Sequence, residues 1–568
     1  MTDFMTELTE LTEAPVRPAV PIERHSLLSN RRALALVTPD ADVTWLCQPS
    51  PDSPALFAKL LGGDGHFSIR PRKDQLPLGQ RYVPGTMSVQ TRWTGLQVTD
   101  RLADGLVRVV EGRVPAVVEF APRPDFGRAP VRLEQTDEGL RLAGTKIELR
   151  SPGVDWQITN GTATAVLTSP ATLELRWDEP SEKDVDWPGW AQSLRLPETR
   201  RDMVRRSALT LRALCHRDTG AVLAAATTSL PEQIGGIRNW DYRYCWLRDA
   251  ALTVQALVSL GSADEAEAFL DWLHRVLATV PGPEHLNPLY TIHGTTLGPE
   301  VVIDTLPGYA GSGPVRVGNL ADQQVQLDVF GPITDLVHDL AVARGVLADR
   351  DWQVVTAMVR AVTRRWNEPD HGIWEERHVL RHRVYSRVMC WQTLDRAITL
   401  ATRFGRELDP GWPVLRDKIA AEVLGHGWNP GVGAFTTAYD GTDLDAASLH
   451  VGLSGLLDPA DERFHATVVA IEEVLRSGPT VYRYLRNDGL PGDEGGFHLC
   501  TAWLIEAYLL VGRRADAEEL FESFAGLAGP TGLLPEEYDP VNERSLGNHP
   551  QAYSHLGLIR CARLLDES

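Results

Sequence analysis

The chain beyond about Pro197 repeats one pattern, which limits its fold more than any other feature. Apolar residues recur there at helical spacing, and loops rich in Gly, Pro and aromatic residues separate the helical segments. Six of these loops lead into a strongly apolar helix, and a more charged helix precedes or follows each one. The loops end at Trp246, near Gln323, and at Tyr385, Leu444, Gly495 and His549. Six buried helices alternating with six outer ones predict an (α/α)6 barrel with all six loops at one end, although any large all-α domain has loops before its helices.

The chain before this region has the pattern of β-strands. Short runs of β-branched and other apolar residues alternate with turn signals such as Pro39-Asp40 and Gly62-Gly63. The runs are residues 33–37, 43–47, 106–111, 116–120 and 147–150. This pattern predicts an N-terminal antiparallel β-sandwich. We predict a disordered lead-in over residues 1–20, the β-sandwich over 21–195 and the barrel over 196–568, with the boundary in the acidic segment 179–190.

Charge and cysteine usage limit the partners and the compartment. The net charge of −20 comes without any run of Lys or Arg, so nucleic acid and membrane surfaces are not expected partners. The chain has no stretch of about 20 apolar residues, and its first twenty residues lack the apolar core of a secretory signal. Its six cysteines show no CxxC spacing, which predicts buried free thiols, no metal site and a cytoplasmic location. Self-association into a homo-oligomer stays open.

Residues 238–249 form the loop with the most unusual composition. They include four aromatic residues, two aspartates and three arginines, and such charged groups need partners when they are buried. Aromatic faces pack on the apolar face of a sugar ring, and Asp and Arg supply acceptors and donors for its hydroxyl groups. An aromatic core plug with structural ion pairs explains these residues equally well.

A second loop carries two adjacent glutamates, Glu375 and Glu376, between Trp374 and Arg377. Burial beside the tryptophan would raise the pKa of one glutamate, whereas the arginine would stabilise charge on its neighbour. This combination suits a general acid. Adjacent glutamates are also common at the start of a helix, where they favour the helix dipole, so the pair alone has a purely structural explanation.

A third loop carries Glu536 and Glu537 after Pro535, and a carboxylate in this position could activate a water molecule. An acidic helix start again offers a structural explanation. If all six loops open at one barrel end, Glu375 and Glu536 reach the same mouth from different loops. Inverting glycoside hydrolases hold two carboxylates about 6.5–9.5 Å apart so that a water fits behind the sugar. We therefore predict a glycoside hydrolase with Glu375 as general acid and Glu536 as general base.

Residues 241–249, with the sequence DYRYCWLRD, resemble the D-Y-x-Y-x-W-x-R-D signature of glycoside hydrolase family 15, the glucoamylases and related trehalases. The resemblance implies that Arg248 and Asp249 hold hydroxyl groups of the terminal glucose. It also implies that Tyr242 and Trp246 line the subsite for that sugar, and that the barrel is the catalytic domain.

Two more motifs resemble the same family. Residues 372–375 resemble the general-acid loop, which implies Glu375 as the acid and Glu376 as a supporting carboxylate that faces the substrate. Residues 535–537 resemble the base loop, which implies Glu536 as the base; glutamine often follows the base there, whereas Glu537 follows here, so Glu537 stays an alternative. We expect four more residues to contact substrate, namely Trp374, Arg377, Glu537 and, from the loop at residues 306–313, Tyr309.

Residues 32–63 resemble the start of the β-sandwich domain in the bacterial, trehalase-like branch. The family implies hydrolysis of a terminal α-linked glucose with inversion, release of β-glucose and no cofactor. Trehalose is the expected substrate, with a glucoamylase or an isomalto-oligosaccharide glucohydrolase as the alternative. An inverting α-glucoside phosphorylase would need no base carboxylate, and a non-catalytic sugar-binding protein would need neither glutamate.

Overall fold

A computed structural model describes residues 19–177, 184–377 and 380–567. The lead-in predicted over residues 1–20 lies outside the described residues except for its last two. The predicted boundary segment, residues 179–190, is described only from residue 184 onward, where a short helix follows. Among the described residues, no helix is long and apolar enough to cross a membrane.

The N-terminal domain consists of antiparallel strands in two sheets. The strands are β1 (Ser26–Ser29), β2 (Leu34–Val37), β3 (Asp42–Cys47), β4 (Ala55–Phe57), β5 (His66–Pro71), β6 (Gly79–Tyr82), β7 (Val89–Trp93), β8 (Leu96–Leu102), β9 (Leu106–Gly112), β10 (Ala116–Ala121), β11 (Leu133–Thr136), β12 (Gly139–Leu142), β13 (Glu148–Arg150), β14 (Gln157–Thr159), β15 (Thr162–Leu167) and β16 (Ala171–Arg176). All five runs predicted from the sequence are confirmed as strands.

One sheet has the order β1-β2-β3-β5-β10-β15-β14, with β4 paired to β3. The other has the order β11-β12-β13-β16-β9-β8-β7-β6. Along β8 every second residue is buried, from Leu96 to Leu102, because successive side chains of a strand point to opposite faces. The apolar faces of the two sheets enclose the core of this domain, which confirms the predicted antiparallel sheet domain.

The rest of the chain is helical. The helices are α1 (Trp187–Ser193), α2 (Arg201–Leu214), α3 (Leu247–Ser259), α4 (Asp264–Leu277), α5 (Phe330–Arg344), α6 (Asp349–Arg365), α7 (Val384–Phe404), α8 (Gly411–His426), α9 (His450–Leu453), α10 (Glu462–Leu475), α11 (His498–Leu510), α12 (Arg514–Ala525) and α13 (Ala552–Glu567). The inner helices pack in a ring, α3 on α5, α5 on α7, α11 on α13 and α13 on α3. The outer helices α2, α4, α6, α8, α10 and α12 surround this ring, which confirms the predicted barrel.

The fourth inner position departs from the regular pattern. The predicted apolar helix after Leu444 is only a 3-10 turn, Ala446–Leu449, followed by the single turn α9. Both pack against α11 and α7 and close the ring. The outer helix α10 comes so close that a Cβ atom at Gly452 would collide with the ring of Phe464. Glycine therefore lets Phe464 fill space that a longer inner helix would occupy.

The β-sandwich supports the loop end of the barrel. The indole of Trp45 donates a hydrogen bond to the carbonyl oxygen of Ala226 at 2.9 Å. The guanidinium of Arg243 donates to the carbonyl oxygen of Ser53 at 2.7 Å, and an imidazole nitrogen of His549 lies 2.9 Å from the carbonyl oxygen of His25. The sandwich thus holds loops that carry the candidate site.

All six cysteines are buried free thiols, as predicted.

Candidate active site

A cavity opens where the inner helices begin. Helix α3 starts directly after Trp246, α11 after Phe497 and α13 after Gln551, and all three of these residues line the cavity. Its volume is about 870 Å³, including the mouth. Nine of the eleven predicted site residues line it, namely Tyr242, Trp246, Arg248, Asp249, Trp374, Glu375, Glu376, Arg377 and Glu536. The predicted convergence of separate loops on one end of the barrel is therefore present.

The first loop lies beside both candidate catalytic carboxylates. The rings of Tyr242 and Trp246 meet edge to face, with centroids 5.5 Å apart. The indole nitrogen of Trp246 donates a hydrogen bond to Glu375 Oε1 at 2.7 Å. Tyr242 lies close enough to Glu536 for its hydroxyl group to favour the charged form of that carboxylate. Two packed aromatic residues from one loop thus lie beside carboxylates that belong to two other loops.

Glu375 has the surroundings expected of a carboxylic acid that keeps its proton. Burial raises its pKa, and the hydrogen bonds from Trp246 and from the amide of Gln326, at 3.1 Å, only partly offset this effect. The backbone of Glu375 has φ of 60°, a left-handed conformation that a residue with a side chain adopts only under constraint. Its carbonyl oxygen accepts a hydrogen bond from the amide of Gln324 at 2.9 Å. The strained turn aims the carboxyl group into the cavity.

Arg248 and Asp249, in the first turn of α3, belong to a buried hydrogen-bond network. Tyr553 Oη accepts from Arg248 Nε at 2.6 Å and donates to Asp249 Oδ2 at 2.6 Å. Arg248 also donates to Asp328 at 2.7 Å and to Gln326 at 3.0 Å. These partners hold both side chains in one orientation at the closed end of the cavity. A fixed acceptor beside a fixed cation suits recognition of sugar hydroxyl groups.

Glu536 is almost fully buried, with 1% of its surface exposed, yet it lines the cavity. The backbone N–H of Asn548 donates to Glu536 Oε2 at 3.2 Å, whereas Oε1 has no hydrogen-bond partner among the described residues. Burial raises the pKa of Glu536 to about 8, and the nearby charge of Glu232 adds to this rise. A carboxylate with one free oxygen in a cavity wall can accept a proton from a water molecule.

The three remaining predicted residues in the cavity wall, Trp374, Glu376 and Arg377, are only partly buried. Trp374 donates to Asp445 through its indole nitrogen at 2.9 Å. Glu376 accepts from Arg383 at 2.7 Å and also pairs with Arg486. The guanidinium of Arg377 stacks over Trp240, 4.3 Å from the ring centroid, and pairs with Glu300 at 3.0 Å. Aromatic and charged side chains thus form this part of the cavity wall.

Two predicted site residues do not line the cavity. Tyr309 is buried elsewhere, and its hydroxyl group donates to the carbonyl oxygen of Val20 at 2.9 Å, so it joins the sandwich to the barrel. Glu537 follows Glu536 in an extended segment, Glu537–Asp539, where successive side chains point in opposite directions. Its carboxylate is fully buried and accepts from the N–H of Gly495 at 2.7 Å. The expectation that these two residues contact substrate is corrected by this placement.

Sequence reasoning missed several cavity residues. Glu232, Arg483 and Tyr553 line the cavity, and each comes from a segment with no catalytic motif. A weak signal existed for Glu232, since it follows Pro231 just before the aromatic loop. For Arg483 and Tyr553, only the folded arrangement reveals proximity to the carboxylates.

Among the residues that the structure describes, three carboxylates near the cavity form a group that could hold a cation. Oxygen atoms of Glu232, Glu536 and Glu537 lie within 4.8 Å of one another. Each of these side chains already accepts a hydrogen bond, from Trp240, Asn548 and Gly495 respectively. Arg483 also places a positive charge 3.4 Å from Glu232. These donors favour a cluster that binds protons, and we assign no metal ion to it.

Comparisons with known proteins agree with this architecture. The chain is 34% identical to the trehalase of Mycobacterium tuberculosis over 98% of its own length and 91% of that protein. It is 32% identical to the trehalase of Thermoplasma volcanium over 99% of its length and 96% of that protein. Among solved structures, a bacterial glucoamylase complexed with acarbose shares the fold, with a TM-score of 0.72 at 12% identity over 97% of this chain and 94% of the other.

Sequence families match both domains separately. Residues 16–183 match the family described as Trehalase-like, N-terminal. Residues 198–563, which hold every residue that lines the cavity, match Glycosyl hydrolases family 15. With more than half of the chain matched and curated relatives above 30% identity over nearly all of it, the chain belongs to glycosyl hydrolases family 15 and carries a trehalase-like N-terminal domain.

Proposed function

We propose that this protein is an inverting, exo-acting α-glucosidase whose substrate is trehalose, with Glu375 as general acid and Glu536 as general base. The observation that carries the proposal is that Glu375 and Glu536, from separate loops, line one cavity, where Trp246 donates a hydrogen bond to Glu375 and one oxygen of Glu536 has no hydrogen-bond partner among the described residues. The choice of trehalose is supported by curated trehalases that match at 34% identity along almost the whole chain. A glucoamylase or isomalto-oligosaccharide activity is the alternative.

In the proposed mechanism, the terminal glucose enters the closed end of the cavity. Arg248 and Asp249, fixed by Tyr553, bind its hydroxyl groups. Glu375 donates its proton to the oxygen of the scissile bond while Glu536 takes a proton from the water that attacks the anomeric carbon. Attack on the side opposite the leaving group inverts the configuration and yields β-glucose. Trp374, Glu376 and Arg377 then face the second sugar near the mouth.

The two carboxyl groups must have opposite protonation states before the reaction. Burial raises the pKa of Glu375, which favours its protonated form. Glu536 must be ionised, but burial and the charge of Glu232 raise its pKa to about 8, and the hydrogen bond from Asn548 only partly offsets this rise. Activity is therefore expected to rise with pH as Glu536 loses its proton through a pKa of about 8, and to fall as Glu375 loses its own proton.

Hydrolysis is favoured over phosphorolysis by the base itself. A phosphorylase uses phosphate as the attacking group and has no need for a carboxylate that activates water. Glu536, with one oxygen free of hydrogen bonds among the described residues, suits a water molecule rather than a phosphate dianion, which it would repel.

The six free, buried thiols support a cytoplasmic location.

A substrate panel tests the proposal. Purified protein is incubated with trehalose, maltose and isomaltose, with and without phosphate, and free glucose and glucose phosphate are measured. We expect trehalose to yield free glucose both with and without phosphate, and we expect no glucose phosphate. The Glu536→Gln variant, matched in shape but unable to act as base, serves as the control. Glucose phosphate as the main product, or full activity of Glu536→Gln, would contradict the proposal.

A further inference from the structure

Glu232 is a further carboxylate in the cavity wall, beside the proposed base, and the mechanism above does not use it. Only 1% of its surface is exposed. The indole nitrogen of Trp240 donates to its Oε1 at 2.8 Å, and Arg483 lies 3.4 Å from its Oε2. Oxygen atoms of Glu232 and Glu536 lie within 4.8 Å of each other. One water molecule spans such a gap, because two hydrogen bonds of about 2.7 Å each reach that far.

A second cavity lies on the other side of Glu232. It has a volume of about 1000 Å³ including its mouth, and its lining includes Arg238, Tyr482, Glu494 and Asn542. Glu232 lines both this cavity and the proposed active-site cavity, whereas Glu536 lines only the latter. The carboxyl group of Glu232 thus lies between the proposed base and a separate route to solvent.

The charges around Glu232 favour proton exchange. The charged groups that face it are Arg238, Arg483, Glu494, Glu536 and Glu537. Buried carboxylates this close to one another cannot all be ionised, so the cluster retains protons near neutral pH. Burial raises the pKa of Glu232 to about 7 and that of Glu536 to about 8. Both carboxyl groups therefore bind a proton more tightly than a free glutamate does, and their proximity allows a proton held by one to pass to the other.

The proposed reaction requires a route for this proton. Each turnover leaves Glu536 with a proton taken from the attacking water, and Glu536 cannot act as base again until it loses that proton. Glucose and the next substrate molecule occupy the first cavity during turnover. The route through Glu232 does not pass through the space that the sugar fills.

We propose that Glu232 relays the proton from Glu536 to the solvent of the second cavity. In this sequence, the oxygen of water bonds to the anomeric carbon and its proton goes to the Glu536 carboxylate. The proton then passes to the Glu232 carboxylate, and finally to a water molecule in the second cavity, which restores the ionised form of Glu536. The relay rests on the proposed role of Glu536 as base.

The Glu232→Gln variant tests the relay, since glutamine keeps the shape and the hydrogen bond to Trp240 but cannot carry the proton. We expect kcat on trehalose to fall about tenfold or more. We expect kcat/KM to change much less, because the free enzyme has time to lose the proton when substrate is scarce. Rapid mixing should then show a burst of about one turnover per site, followed by slow steady-state hydrolysis. Imidazole buffer should raise kcat of the variant and leave the wild type unchanged.

Two further variants separate the relay from a structural role. Glu232→Asp keeps a carboxyl group and should abolish the burst even if packing suffers. Glu494→Gln removes a charge from the same cluster, but Glu494 lines only the second cavity and should give no burst. Equal loss of kcat and kcat/KM in Glu232→Gln without a burst, or inactivity of both Glu232 variants, would overturn the relay. A wild-type protein that does not hydrolyse trehalose would instead overturn the proposed function.

Discussion

Gly547 allows the chain to pass very close to the side chain of Glu536. Its φ of +73° lies in the left-handed region, and a Cβ atom there would lie 2.6 Å from the Cβ of Glu536 and closer still to Oε2. We expect Gly547→Ala to displace the carboxylate and to lower kcat at least about tenfold, since loss of aligned base catalysis costs at least this much. Steady-state kinetics and the melting temperature measure the two effects.

Gly433→Ala is the matched control for this variant. Gly433 has φ of +72°, and no atom lies within 4 Å of the position of its Cβ. Both substitutions lose about 1–2 kcal/mol of stability from the left-handed conformation alone. Only Gly547→Ala should also lose activity. An equal loss of activity in both variants would show that backbone strain is responsible, and not contact with Glu536.

The proposed general acid makes a prediction that depends on the leaving group. Glu375→Gln keeps the hydrogen-bond geometry with Trp246 but has no proton to donate. We expect at least about a hundredfold loss of kcat/KM on trehalose, whose sugar leaving group needs protonation. An activated aryl α-glucoside needs less help and should be affected much less. Equal, small losses on both substrates would refute the role of Glu375.

At the scale of residues, the sequence identifies the site residues that lie within local motifs. Residues 241–249, 372–377 and 535–536 contain ten of the cavity residues, because the loop and the start of the following helix are contiguous in the chain. Glu232 and Arg483 could not be found in this way, because their position depends on long-range packing around Trp240 and Phe497. Glu537 was misplaced because the strand that carries it turns adjacent side chains to opposite sides.

The loop before α3 contains a buried ion pair, and its arginine also binds the N-terminal domain. Arg243 and Asp241 are fully buried, and Arg243 donates to Asp241 at 2.7 and 2.8 Å and to the carbonyl oxygen of Ser53 at 2.7 Å. Arg243→Met would leave the Asp241 carboxylate buried without its cation. We expect a loss of about 3–5 kcal/mol and a clear fall in melting temperature, because one partner of a buried pair is removed.

Two comparisons complete this test. Arg416 pairs with Asp417 on the surface, and Arg416→Met should cost less than about 1 kcal/mol. The double variant Arg243→Met/Asp241→Asn, which removes the unpaired charge, should recover part of the lost stability. If the surface and buried variants melt at the same temperature, the pair does not anchor the loop.

At the scale of elements, the sequence predicts helices well where apolar periodicity is long. The apolar segments predicted after the loops that end at Trp246 and Gly495 form the inner helices α3 and α11, since each inner helix must bury most of its surface in the ring. The fourth inner helix was overestimated, because the apolar residues after Leu444 are also consistent with a short turn. Phe464 of α10 packs directly against the backbone of this turn at Gly452, and sequence periodicity carries no information on such a contact.

At the scale of the whole molecule, the two domains serve one site. Sandwich residues reach the loop end of the barrel through Trp45 and through the backbone at Ser53 and His25. The alternation of strands predicts the sandwich because each strand buries one face. It does not predict which loops meet the barrel, because those contacts depend on the relative orientation of the two domains. The hydrogen bond from the buried hydroxyl group of Tyr309 to the carbonyl oxygen of Val20 is one of the contacts that the sequence does not predict.

The stereochemistry of the products tests the whole arrangement of acid, base and water. Trehalose joins two glucose units through both anomeric carbons, so each turnover releases one unit from the reacting site and one as the leaving group. The leaving group keeps its α configuration because its own anomeric bond to oxygen is not broken. If Glu536 activates a water behind the reacting sugar, that sugar must emerge as β-glucose. Inversion therefore predicts equal amounts of α- and β-glucose at early times.

Proton NMR of the anomeric signals, recorded before mutarotation mixes them, measures this ratio directly. An aryl α-glucoside is the control, since its leaving group gives no sugar signal and inversion must then yield β-glucose alone. Retention would instead give only α-glucose from both substrates, and it would require a nucleophile in covalent contact with the sugar. Glu536 would then have to lie close enough to Glu375 for direct attack, at about 5–5.5 Å between carboxyl groups. Exclusive α-glucose at early times would thus refute the roles proposed for both carboxylates at once.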